Sequence, residues 1–133
     1  MTPGGYNIKK ILQVLYAAVK DVAEARYVTE RPSATSQPTD TFVVVAAPVR
    51  IYDHLAYGDT TCRISLYARD IVSSTRGSQE NGNALGDMLD RVYAILPIVT
   101  ENYTFTLQTI VDEGSDGIGF HVWHVLLNLT IKK

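Results

Sequence analysis

The chain is short of nearly everything that would announce a chemistry. It has one cysteine, one tryptophan, two methionines and three phenylalanines. The lone Cys62 excludes an internal disulfide and cannot build a thiolate zinc site by itself. The longest apolar stretch, around residues 42–48, falls far short of the ~20 residues that a membrane-spanning helix needs. No basic-then-apolar leader opens the chain, so a protein kept in the cell that makes it, with no membrane partner, is expected. Charge of one sign is also missing. Twelve basic and fourteen acidic residues leave a net charge of −2, and no like-charge block exceeds a doublet such as Lys132–Lys133. Sequence-specific binding to nucleic acid, which draws on a basic stripe, is not expected.

What is present is periodicity. At 133 residues the chain has the length of one domain, read here as a single α+β unit over 1–133. Ile8, Ile11, Leu12, Leu15, Val19, Val22 and Ala23 recur at helical spacing and predict an amphipathic helix over 7–26, with Asn7 as its N-cap. The β-branched run from Phe42 to Ala47 predicts a central strand. Cys62, Ile64, Leu66 and Ala68 alternate with Thr61, Arg63, Ser65, Tyr67 and Arg69, as on a strand with one buried face. Leu85, Met88, Leu89, Val92 and Leu96 predict a second helix, stopped by Pro97. Tyr103, Phe105, Leu107, Thr109 and Val111 alternate, as do Trp123, Val125, Leu127, Leu129 and Ile131, with a turn over 112–117 between them. These two runs predict a hairpin. The order α-β-β-α-β-β implies a two-layer fold: a mostly antiparallel four-stranded sheet with both helices on one face and the last strand at an edge. Residues 1–6 read as a flexible arm, and 29–40, 48–60 and 72–83 as long loops.

Three constellations invite chemistry and fail on geometry. His121 and His124 with Asp112, Glu113 and Asp116 suggest a metal site, but residues three apart on a strand point to opposite faces. Asp53 and His54 are sequence neighbours in a loop, with no nucleophile placed to use them. Gly114, Gly117 and Gly119 open no helix and so lack the amides and dipole that would hold phosphate. No catalytic residue, metal or cofactor is expected, and the chain reads as a non-enzyme. Eight tyrosines against three phenylalanines point instead to protein contact, since tyrosine is enriched at interfaces. Tyr52 and Tyr57 in one loop and Tyr67 on the polar sheet face are the candidates.

The first helix from Asn7, the Pro-rich loop to Asp40, the strands at 42–47 and 63–68, the helix 83–96 closing on Leu-Pro, and the final hairpin ending at Leu127-Asn128-Leu129-Thr130-Ile131 together resemble the tail terminator, or tail completion, proteins of long-tailed bacteriophages. The resemblance spans nearly the whole chain and lies in the order of elements. It implies a virion structural protein of the tail or neck, assembled in the bacterial host cytoplasm. The protein would form a homo-oligomeric, hexameric ring that caps the tail tube, stops its polymerisation and joins the head connector. Its partners would be further copies of itself, the tail-tube protein and the head-tail connector protein, with DNA free to pass through the ring. Such a ring needs two different complementary patches per subunit. On this reading Arg50, Tyr52, His54 and Tyr57 touch tube or connector, Arg63 and Arg69 lie at a subunit boundary or the lumen, and Tyr67 is a further interface residue. The competing expectation is a dimeric small-ligand-binding or regulatory α+β domain.

Overall fold

The computed structural model describes residues 6–33, 39–46, 50–73 and 75–132. Most of the proposed arm, 1–5, therefore lies outside the described residues, as do 34–38, 48–49 and 74 within the three proposed loops and Ala47 at the end of the predicted strand. Helix α1 spans Ile8–Ala18, with the Asn7 side chain accepting from the Lys10 amide at 3.2 Å. Helix α2 spans Gly82–Ile95, with Asn81 accepting from Ala84 at 3.1 Å. In each case the cap satisfies a first-turn amide that has no intrahelical partner.

Helix α1 stops eight residues before the predicted end. Val19 and Val22 stay buried, but they do so from a turn in which the Val22 amide bonds the Val19 carbonyl at 3.1 Å. The chain then becomes a strand, β1 (Ala25–Val28), parallel to β2 (Thr41–Ala46). Arg26 reaches back to close the helix: it donates to the Tyr16 carbonyl at 2.6 Å, with its guanidinium 4.0 Å from the Tyr16 ring centre. The apolar spacing that suggested one long helix is thus shared between a helix and the turn after it.

The expected four-stranded, mostly antiparallel sheet is not what forms. Strands β3 (Tyr52–Asp53), β4 (Tyr57–Arg69), β7 (Ile98–Val99), β8 (Tyr103–Ser115) and β9 (Phe120–Lys132) complete a seven-stranded sheet ordered β1-β2-β4-β9-β8-β7, with β3 also paired to β4. Because β1 and β2 run parallel the sheet is mixed, and it curls into a half-barrel. A separate hairpin, β5 (Ile71–Ser73) with β6 (Gly77–Gln79), replaces the start of the loop expected over 72–83. The strands missed in the sequence are two to four residues long, too short to print a periodicity. Strand β9, expected at an edge, runs centrally between β4 and β8.

Two bulges in β8 explain much of the curl. The β8–β9 register shifts between Leu107 and Thr109 and again between Asp112 and Gly114. An extra residue on one strand bends it and adds twist. It also reverses the side-chain alternation, so Ile110, and not Thr109 or Val111, packs toward the main core.

That core gathers Ile11, Leu15, Leu85, Met88 and Val92 from the helices with Val43, Val45, Ile64, Leu66, Phe105, Leu127 and Leu129 from the sheet. Each fully buried side chain of this size contributes about 1.5–3 kcal/mol. Cys62 belongs to it, and burial pushes its thiol up to about 12, leaving it unionised and inert. The opposite sheet face carries a second, aromatic cluster built on Phe42, Val44 and Phe120.

Candidate functional site

The segment read as a long loop before β4 is a β-hairpin that carries four of the seven predicted interface residues. Tyr52 and Asp53 pair with Asp59 and Gly58, and the tip closes where the His54 amide bonds the Tyr57 carbonyl at 2.8 Å. The His54 ring stacks on Tyr57 with centres 4.8 Å apart, and its Nε2 lies 3.1 Å from Asp59 Oδ2. Leu55 sits at the apex with φ 68° and is 87% exposed, while Tyr52 is 54% exposed. The sequence reading missed Leu55: a single apolar residue in a polar segment gives no periodic signal, and only the turn reveals that nothing covers it. Arg50 enters this group through its backbone, whose carbonyl accepts from the Thr60 hydroxyl.

Tyr6 staples the N-terminal side of α1 to this hairpin. Its hydroxyl donates to Asp53 Oδ1 at 2.7 Å, and its ring lies against Gly58, where a Cβ would come within 2.5 Å of the hydroxyl oxygen. Desolvation and then the Asp53 carboxylate push the Tyr6 phenol up to about 12, so it stays a donor at neutral pH. Beside the hairpin, an open groove of about 660 Å³ is lined by Arg50, Tyr52, Asp59, Thr61, Asn128 and Thr130, among others. Its hydroxyls, amide and mixed charges can exchange hydrogen bonds with a polar protein surface.

The other three predicted residues lie along β4. Tyr57 pairs with Lys132 at one end of that strand and Arg69 with Phe120 at the other, a separation of roughly 40 Å at the usual rise per residue. Arg63 is exposed at mid-strand on the face away from the helices. Tyr67 is half-buried and stacked on Phe42 at 4.5 Å, part of the aromatic cluster. Arg69 bonds Asp40 Oδ1 at 2.8 Å and the Thr39 carbonyl at 3.2 Å, and its guanidinium lies 4.7 Å from the Phe120 ring centre. Tyr67 and Arg69 thus make contacts within the chain itself.

Arg31 covers that cluster, with its guanidinium carbon 5.2, 5.3 and 5.1 Å from the ring centres of Phe42, Tyr67 and Phe120. Asp116, in the β8–β9 turn, pairs with Arg31 through Oδ2 while its Oδ1 accepts from the amides of Ile118 and Phe120. Burial lowers the Arg31 pKa, an effect too small to matter for a guanidinium at neutral pH. The three glycines of this turn, Gly114, Gly117 and Gly119, all have φ between 81° and 98°, the left-handed region that glycine enters without steric cost.

His121 and His124 occupy opposite sheet faces, opposite Ala68 and Ser65. Neither is simply solvated. His121 Nδ1 lies 2.6 Å from Asp70 Oδ1, and His124 Nδ1 lies 2.7 Å from the Ser65 hydroxyl. Desolvation, then Arg63, lowers the His124 pKa against an opposing pull from Glu113. The imidazole is therefore neutral at pH 7.

No protein-family model and no curated protein sequence matches the chain. Among solved structures, it is similar to a chain of the virion of a native gene transfer agent particle. The TM-score is 0.56 and the identity 10%, and the match covers 98% of this chain and 96% of that one. At that identity the likeness establishes a shared fold over essentially the whole domain.

Proposed function

We propose that this chain is a structural virion protein of a phage-like particle: a ring-forming tail terminator that caps the tail tube and offers a surface to the head connector. The observation that carries the reading is the end-to-end fold match to a chain of a gene transfer agent virion, joined to the resemblance in element order. The exposed residues of the molecule fit a docking role. The β3–β4 hairpin exposes Tyr52, Leu55 and Tyr57, and aromatic side chains on a backbone already hydrogen-bonded lose little entropy on contact. Among the described residues no helix is long and apolar enough to cross a membrane.

On this reading the hairpin tip meets the tube or connector, and Arg63, free on the open sheet face, lies toward a neighbour or the channel. The test is tail assembly in the producing cell with the gene deleted and resupplied. Without the protein, tubes should exceed their normal length and particles should lack joined heads; wild-type protein should restore both. The triple variant Tyr52→Ala/Leu55→Ala/Tyr57→Ala should fold normally yet restore length control at least tenfold less well. Tails of normal length and joined heads in the deletion strain would refute the terminator role.

A further inference from the structure

The sheet ends in two unlike edges. At one end, among the described residues, β1 pairs only with β2, and beside it Ile8, Lys9, Leu12, Gln13, Tyr16 and Val28 line an open groove of about 480 Å³. Ile8 and Val28 are exposed there. The charges of α1 and β1 are Lys9, Lys10 and Arg26, with no acid among them. At the other end, among the described residues, β7 covers β8 only through Thr104 and Phe105, and from residue 106 to 115 β8 pairs with β9 alone. That free edge exposes Leu107 and Val111 and carries Asp112 and Glu113, with no base.

An apolar groove with a basic rim at one end of the sheet and, at the other, a strand that exposes one apolar residue on each face and ends in two acids are complements placed on different sides of one molecule. Neither edge suits itself, because a two-fold contact would oppose like charges. Each suits the other, and a contact between unlike patches repeats from copy to copy until a ring closes. We infer that the β1–α1 edge of one copy packs against the free β8 edge of a second copy, head to tail. This rests on the ring-forming reading above and gives it named surfaces. The two bulges in β8 fit the assignment: they twist the edge away from indiscriminate strand pairing and leave side-chain complementarity to select the partner.

Two blocked variants test it. Ile8→Glu/Val28→Glu spoils the first edge, and Leu107→Glu/Val111→Glu spoils the second, the same sign being used on both so that the two spoiled edges repel each other in a mixture. Sedimentation of wild type should reveal species larger than a dimer, and each variant alone should be monomeric. An equimolar mixture should give a dimer and nothing larger, since one sound edge remains on each partner. Wild type that is monomeric at every concentration, variants that keep the wild-type mass, or a mixture that stays monomeric would each overturn the inference. If a double variant unfolds at a markedly lower temperature than wild type, Lys9→Glu and Glu113→Lys, both at exposed positions, replace them. Each alone should associate less than wild type, and their equimolar mixture should recover species larger than a dimer, because the exchanged charges again oppose unlike signs. A mixture no larger than either variant alone would overturn the inference. Tube-length control is scored separately. Protein that caps tubes while failing the mixture test sinks the edge assignment alone, and a mixed dimer from a protein that leaves tubes overlong sinks the terminator reading alone.

Discussion

At the scale of single residues, two side chains hold distant segments in place, and neither was legible in the sequence. Arg31 sat in a stretch read as loop, yet it lies over three aromatic rings and pairs with Asp116. Both side chains are largely buried, at 17% and 12% exposure. Removing one partner of a buried pair leaves the other charge uncompensated, a loss that residual solvent screening reduces here. Arg31→Ala should lower the unfolding free energy by about 2–4 kcal/mol in urea titrations, and Arg31→Met, which keeps the packing over the rings, by less. Tyr6 is the second such residue. Gly58→Ala forces its ring off the hairpin, so a loss of about 1–2 kcal/mol is expected. In a Tyr6→Ala background most of that loss should vanish, because the atom met by the new methyl is gone. An equal loss in both backgrounds would mean that the strain lies in the backbone of β4.

At the scale of elements, the long periodic runs were readable and the short or irregular ones were not. Leu85, Met88 and Val92 placed α2 correctly because three helical turns of buried side chains leave a strong signal. The strands β3 and β7, two residues each, had none to leave. The departure in β8 is different: unbroken alternation is expected through Gln108, and the bulge there turns the side chains of 109–112 to the other face until the second bulge, between Asp112 and Gly114, restores the pattern. Cap residues were legible only in part. Asn7 was identified, whereas Asn81 was hidden inside a Ser-, Gly- and Asn-rich stretch. Asn81→Ala should cost about 1 kcal/mol, measurable as a lowered melting temperature, while Asn81→Asp should cost little because its carboxylate accepts the same amide proton.

At the scale of the whole molecule, the expected two-layer fold of four mostly antiparallel strands with two helices on one face is overturned by a mixed, curled seven-stranded sheet. Four of the seven candidate interface residues come from one contiguous segment around a hairpin; the contacts of Tyr67 and Arg69 within the chain were not legible because the folding of 29–33 and 39–40 over β4 is a long-range event. The pH response of global stability follows from His124. Its pKa is lower in the folded state than the ordinary 6.5, so the unfolded chain takes up the proton first as pH falls. Stability is fully retained above about 6.5 and declines as pH drops from there toward the native value. Denaturant unfolding between pH 8 and pH 5 should reveal this slope, and His124→Asn should flatten it. One further link in the molecule has an experimental use. The hairpin β5–β6 projects Val72, 78% exposed, from two roots held on β9: Asp70 by His121 and Glu80 by Trp123, whose indole Nε1 donates at 2.7 Å. Since Trp123 is the only tryptophan of the chain, its fluorescence is wired to the base of that projection, and an unlabelled protein will report by the colour of its own emission when a partner pulls on it.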